Sequence, residues 1–332
     1  MDPAALARWV AFGKTHSFDS LLIVRHGVIV LDAYYAPSTP ETPHVINSAT
    51  KAVTATLIAM LLKDGQLDSL DHPILDFFAY RDIANLDERK KSITVQHLLD
   101  MTSGFEWEEG FEGGREQSLI DLGNSPDWIK FILDRPMAHA PGETFYYNSG
   151  NSYLLSAIIT KLTGKRAQEY AKTRLFEPLG IAPPYWREAP RGLTQGSGGL
   201  ELKPRDMAKI GYLYLHHGEW AGRQLVPPEF VEAITHATVN MQASYDPNLR
   251  YANQFWVMPD RHVFMAWGYH CQAIMVFPEH DIVTVVTAHD NCPSKRLARD
   301  ISAAVTSEAA LPANPAAAAE LAKALRDAAV AQ

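Results

Sequence analysis

Ser48-Ala49-Thr50-Lys51 puts a hydroxyl and an amine three residues apart at the head of the run Asn47–Gly65. From Ala52 to Leu62 that run is apolar or threonine on every side, and Gly65 stops it. A helix without a polar face is buried, so Lys51 is the only charge in the first four turns of a core helix. Burial disfavours the ammonium form, and the positive end of the helix dipole disfavours it again. A lysine so perturbed can act as a base near neutral pH. Ser48 shares its helix face, and a hydroxyl within reach of a free amine is an activated nucleophile. The backbone N–H of Ser48 can also point at a developing oxyanion. On an exposed helix the same pair would be only an N-cap and a snorkelling lysine.

The elements that must position this pair come from both ends of the chain. Leu21–Val24 and Val28–Tyr34 flank His26-Gly27 and predict a hairpin, with Ile29-Val30-Leu31 apolar and β-branched. Arg261–Trp267, Gln272–Phe277 and Ile282–Ala288 predict further strands of one antiparallel sheet, covered by a helix from Lys295 to Glu308. Between them, Thr94–Met101, Asp127–Asp134 and Ser152–Leu162 have helical spacing, with Gly104 and Gly164 placed as C-caps. The expected fold is α+β. An α/β lobe spans 1–69 and 189–332, a helical lobe spans 70–188, and the site lies in the cleft between them. Short helices are expected at Ala4–Phe12 and in the Ala-rich tail Pro312–Gln332.

Composition narrows the function classes. The 332 residues are 47% hydrophobic and 20% charged, with a net charge of -8 and no Lys/Arg run, which argues against a nucleic-acid partner. The longest apolar stretches fall short of the ~20 residues that span a bilayer, and the N-terminal segment lacks a basic leader. These features predict a cytoplasmic protein without a membrane partner, a monomer or homodimer acting on a small molecule. Of the two cysteines, Cys271 should lie opposite a residue near Ala288 once the strands pair about Pro278–Asp281. Cys292 lies four positions further, about 14 Å away at ~3.4 Å per residue, too far for a disulfide. Both are therefore expected to be free thiols, Cys271 in packing. No histidine spacing suits a metal, and no cofactor is expected.

Ser48-x-x-Lys51 combined with a Tyr-x-Asn motif resembles the serine β-lactamase and penicillin-binding-protein superfamily, above all the class C β-lactamase-related esterases and 6-aminohexanoate-dimer hydrolases. Tyr146-Tyr147-Asn148, after Pro141-Gly142-Glu143, fits that motif better than Tyr251-Ala252-Asn253, which runs into a predicted strand. His97–Gly104 and Gly198-Gly199-Leu200 leading to Arg205–Ala208 add to the likeness, which covers Leu21 to about Val305. The resemblance implies that Ser48 forms an acyl-enzyme and that Lys51 or Tyr146 is the base. Tyr146 would pass the proton to the leaving group, and Asn148 would hold Lys51 and the substrate by its side-chain amide.

Where the lactamases carry Lys-Thr-Gly, this chain has Trp267-Gly268-Tyr269-His270-Cys271-Gln272. The related hydrolases often have Gly-Tyr-Gly-Gly-Gln there. The missing lysine argues against penicillinase activity, and the N–H of Gln272 is the expected second oxyanion donor. His270 and Cys271, in place of two glycines, should narrow the cleft or lend it a titratable group. The acidic stretch Glu106–Glu112 reads as a solvated loop at the cleft rim that would favour cationic or neutral substrates. The expected activity is hydrolysis of small esters or linear amides. A D-amino-acid peptidase or amidase is the alternative enzyme, and a non-catalytic ligand-binding or scaffold homologue the alternative of another class.

Overall fold

Successive residues of a strand face opposite sides of a sheet, and here they feed two separate cores. Leu22 and Val24 join one cluster with Val53, Leu57, Ile274, Val276, Val283 and Val285. Leu21 and Ile23 join the other with Val10, Ala273, Met275, Ile282 and Leu297. Such burial on both faces requires helices above and below the sheet, and the computed structural model, which describes residues 1–79, 82–110, 115–241, 247–290 and 292–330, has them.

The large sheet is built from β1 (Phe18–Arg25), β2 (Val28–Tyr34), β3 (Val239–Asn240), β4 (Arg250–Ala252), β5 (Phe255–Met258), β6 (Val263–Gly268), β7 (Gln272–Phe277) and β8 (Ile282–Ala288). Its order is β2-β1-β8-β7-β6-β5-β4-β3, antiparallel throughout. The first and last strands of the sequence reading thus meet at β1–β8, with Leu21 opposite Val286.

On one face lie α1 (Pro3–Thr15), α5 (Ser294–Ala303) and α6 (Pro315–Ala328); on the other lie α2 (Thr50–Lys63), α3 (Ser149–Thr163) and α4 (Pro204–Leu215). Gly211 lets α4 approach the sheet: a Cβ there would come within 2.5 Å of Val283 Cγ1. Every residue of α2 from Thr50 to Leu61 is buried, as its unbroken apolar surface requires. Helix α3 ends at Gly164 with φ 68°, the expected left-handed cap.

Two expectations fail locally. Gly104 does not cap a helix; Asp100 ends the helix Val95–Leu99 instead. Gly104 is needed elsewhere, because a Cβ on it would strike the His139 carbonyl at 2.5 Å. Helix α5 stops at Ala303 rather than Glu308, and Arg25 reaches the chain beyond it through the Ser307 carbonyl and Glu308. No helix among the described residues is long and apolar enough to cross a membrane.

Candidate active site

Ser48 lies in a single 3-10 turn, Asn47–Ala49, that winds into α2. The chain enters this turn through Asn47 at φ 47°, a conformation asparagine tolerates better than most residues. Its side-chain amide donates to the Tyr269 carbonyl at 2.9 Å, tying the serine turn to the β6–β7 hairpin. Gly268 closes the same seam. A Cβ on it would lie 2.3 Å from the Ile46 carbonyl and 3.1 Å from the Ser48 nitrogen.

Lys51 is 1% exposed. Its Nζ lies 3.0 Å from Ser48 Oγ and 3.1 Å from the Ser197 carbonyl oxygen. Burial pushes its pKa down to about 8, against a smaller opposing effect from the Glu109 carboxylate. The loop that supplies the Ser197 carbonyl is itself pinned, since Thr54 Oγ1 donates to Gly196 O and Ser156 Oγ to Thr194 O. Gly196 is required there, as a Cβ would clash with the Ser152 carbonyl.

The phenol beside this pair belongs to Tyr147, not Tyr146. Tyr147 lines the same cleft as Ser48, and its ring centroid lies 4.8 Å from Lys51 Nζ. Burial, reinforced by Glu109, pushes its pKa well up. Tyr146 is partly buried and packs on the core that holds α2 and α3, while Phe145 and Tyr147 join the other one. Neighbours in an extended segment face opposite ways, so only one of the two tyrosines can reach Ser48. Asn148 does not bond Lys51 either. It caps α3, is 1% exposed, and its Oδ1 has no hydrogen-bond partner among the described residues. The Ser197 carbonyl occupies the place expected for that amide.

Glu109 departs furthest from the solvated acidic loop expected of Glu106–Glu112, whose last two residues lie outside those described. It is 5% exposed. Its carboxylate accepts from Trp107 Nε1 at 2.8 Å, the Ser149 N–H at 2.7 Å and Ser149 Oγ at 2.6 Å. Trp107, Glu109 and Ser149 carried no obvious signal in the sequence, although Ser149 follows directly on Tyr147-Asn148.

The β6–β7 hairpin turns through Tyr269, His270 and Cys271, with Gly268 paired to Gln272. His270 and Cys271 have φ values of 56° and 59°, the region where glycine costs least. Tyr269 is exposed and its ring stacks on His270 at 3.9 Å. Gln272 turns inward, donating its side-chain amide to the His270 and Ala288 carbonyls. Cys271 is fully buried and disulfide-bonded to Cys292, with 5.5 Å between their Cα atoms. The expectation of free thiols is therefore overturned. It extended β8 straight past Ala288, whereas the chain bends at His289 and Asp290 and brings Cys292 back beside Cys271.

Together these elements border a cleft of about 880 Å³, lined by Asn47, Ser48, Glu109, Tyr147, Ser149, Ser197 and Tyr269. Trp128, Tyr153, Trp256 and Trp267 supply further aromatic wall, helix Gln117–Asn124 contributes Leu119 and Ile120, and Arg187 brings a cation. A hydroxyl, a buried amine of depressed pKa and a phenol thus meet at one cleft, the kind of grouping that acyl transfer requires.

Comparison with known proteins gives the family. The Beta-lactamase family profile matches residues 18–307. The 6-aminohexanoate-dimer hydrolase of Paenarthrobacter ureafaciens is 24% identical over 294 residues, covering 80% of this chain and 71% of the relative. Among solved structures, EstCE1, a hydrolase with promiscuous acyltransferase activity, superposes with a TM-score of 0.74 at 16% identity, covering 92% of this chain and 98% of its own. The octameric penicillin-binding protein homologue from Pyrococcus abyssi does so at 0.69 and 23% identity, covering 91% and 77%. At those identities the structures testify to the fold alone. The profile match spans most of the sequence, and the chain belongs to the beta-lactamase family of serine hydrolases.

Proposed function

We propose that the protein hydrolyses small esters or linear amides through an acyl-enzyme on Ser48. The observation that carries this reading is the 3.0 Å contact between Ser48 Oγ and a buried Lys51 whose pKa falls to about 8. Near that pH much of the amine is neutral, and its lone pair accepts the Ser48 proton as Oγ attacks the carbonyl. Tyr147 has a pKa moved upward, so the resting base is the amine and the phenol stays protonated. From its place beside Ser48 the phenol donates to the leaving oxygen or nitrogen, and Lys51 replaces that proton. Water then attacks the acyl carbonyl along the same relay in reverse.

One oxyanion donor is the Ser48 N–H. We assign the other to the backbone of Tyr269 rather than Gln272, because Gly268-Tyr269 is the segment seated on the serine turn. The aromatic walls suit an acyl or leaving group with apolar methylenes. Treatment with a fluorophosphonate should give one adduct, on Ser48, absent in Ser48→Ala. A panel of p-nitrophenyl esters, linear ω-amino amides, D-Ala peptides and nitrocefin should show ester or linear-amide turnover and no nitrocefin cleavage.

A second reading, D-amino-acid peptidase, draws support from two observations. The Cys271–Cys292 bond suits an oxidising compartment better than the expected cytoplasm. Arg187 in the cleft wall can pair with a peptide carboxylate. Turnover of D-Ala peptides above that of ω-amino amides would favour it.

A further inference from the structure

We infer that Glu109 is a positioning residue that holds the Tyr147 segment in place and sets the charge state of the Ser48–Lys51–Tyr147 relay. The inference rests on the acyl-enzyme reading above and adds a residue that touches none of the three directly.

Three hydrogens point at the Glu109 carboxylate, from the Trp107 indole, the Ser149 amide and the Ser149 hydroxyl. A carboxylate satisfies three donors, whereas a carboxylic acid would bring a fourth hydrogen needing its own acceptor. Two of the donors belong to Ser149, two residues after Tyr147 and at the first turn of α3. The side chain therefore clamps the segment that carries the phenol. Holding Ser149 fixes where Tyr147 can stand.

The charge acts as well as the clamp. Glu109 lines the same cleft as Ser48 and Tyr147, and burial leaves little water to screen it. A negative charge there favours the ammonium of Lys51 and disfavours a phenolate at Tyr147, so it raises the pH at which the relay gives up either proton. Without it, burial alone would act on the amine, and Lys51 would lose its proton at a lower pH. The groups facing Lys51 are Ser48 from the 3-10 turn, the Ser197 carbonyl from the 195–199 loop and Tyr147 from the segment before α3. Tyr153, Glu116 and Arg187 stand further along the cleft. Glu109 is the acid buried among them.

The test is the pH dependence of Ser48 labelling by an ethoxy fluorophosphonate, followed by mass spectrometry, with p-nitrophenyl acetate hydrolysis alongside. Glu109→Gln keeps an acceptor for Trp107 and the Ser149 N–H and lets the Ser149 hydroxyl turn to accept, so the geometry survives while the charge goes. The acid limb should move down by about one pH unit. Glu109→Ala should move it the same way with a larger loss of rate, which keeps the test open if the glutamine variant does not fold. Glu109→Asp and Ser149→Ala retain a charge and should lose rate without moving the limb. A limb unmoved or raised in the neutral variants, or moved as far by Ser149→Ala, overturns the inference. Loss of the acyl-enzyme reading shows differently, as wild-type protein with no adduct on Ser48 at any pH.

Discussion

Lys51 Nζ lies 3.0 Å from Ser48 Oγ while only 1% of the lysine is exposed, so the amine closest to the nucleophile is also among the least hydrated groups of the chain. Its pKa of about 8 places the acid limb of kcat/KM near that value, with activity rising as Lys51 deprotonates. Lys51→Met should lower kcat/KM by about 10³-fold or more and abolish fluorophosphonate labelling. A pH–rate profile flat from 6 to 9 would remove Lys51 as the base.

The same burial makes Lys51 a cost to the fold. Its folded-state pKa of about 8 lies below the ordinary lysine value of 10.5. Below pH 8 both states are protonated and the full cost is present; between 8 and 10.5 the unfolded chain binds more protons and stability rises with pH. The cost is on the order of 3 kcal/mol. Lys51→Met should therefore melt higher than wild type at pH 6, and the advantage should shrink between pH 8 and 10.5. Calorimetry at pH 6, 8 and 10 measures this, and a melting point lowered at pH 6 would contradict it.

Adjacent tyrosines give a clean comparison. Tyr147 lines the cleft together with Ser48, and Tyr146 is not among the residues that line it. Tyr147→Phe should lower kcat by about 10²- to 10⁴-fold through loss of the proton donor. Tyr146→Phe should leave kcat within about threefold of wild type. The reverse ranking would restore the role that the Tyr-x-Asn motif gave to Tyr146.

That case shows what the sequence could and could not convey. Helix α2 was legible because its apolar residues occupy every side, and a helix without a polar face has only one place to go. Strands β1, β2, β7 and β8 were legible from their β-branched runs and the turns between them. Tyr146 and Tyr147 are chemically identical neighbours, and only the facing of one extended segment separates them. The chain leaves the line of β8 at a bend over His289 and Asp290, a tertiary departure that no local pattern encodes. Glu109 looked like one acid among several, because its burial is decided by Trp107 and Ser149.

The Cys271–Cys292 bond closes a loop across a sequence separation of 21 and anchors the turn that presents Tyr269 to the cleft. By loop-closure entropy it should stabilise the chain by about 3 kcal/mol. Cys292→Ser should melt several degrees lower and both raise KM and lower kcat, since the turn that carries the Tyr269 ring and its backbone loosens while Ser48 and Lys51 remain on α2 and its leading turn. Dithiothreitol should reproduce both effects in wild type and neither in the variant. Equal melting points with and without reductant would show that the bond carries no stability.

Gly268 offers the sharpest test of how the hairpin meets the nucleophile. An added Cβ would sit 2.3 Å from the Ile46 carbonyl and 3.1 Å from the backbone nitrogens of Ser48 and Ala49, all main-chain atoms that cannot rotate away. Gly268→Ala must therefore push the hairpin and the serine turn apart, breaking the register that aims the Tyr269 backbone at the oxyanion. Removing one oxyanion donor costs about 10²- to 10³-fold in kcat, and the variant should fall in that range. Substrate KM should change less, because Trp128, Tyr153 and Trp256 of the cleft wall lie outside this hairpin. Gln272→Ala should leave the oxyanion site intact and act through hairpin stability, lowering the melting point more than kcat. Should Gly268→Ala keep full activity, the second donor is not the Tyr269 backbone.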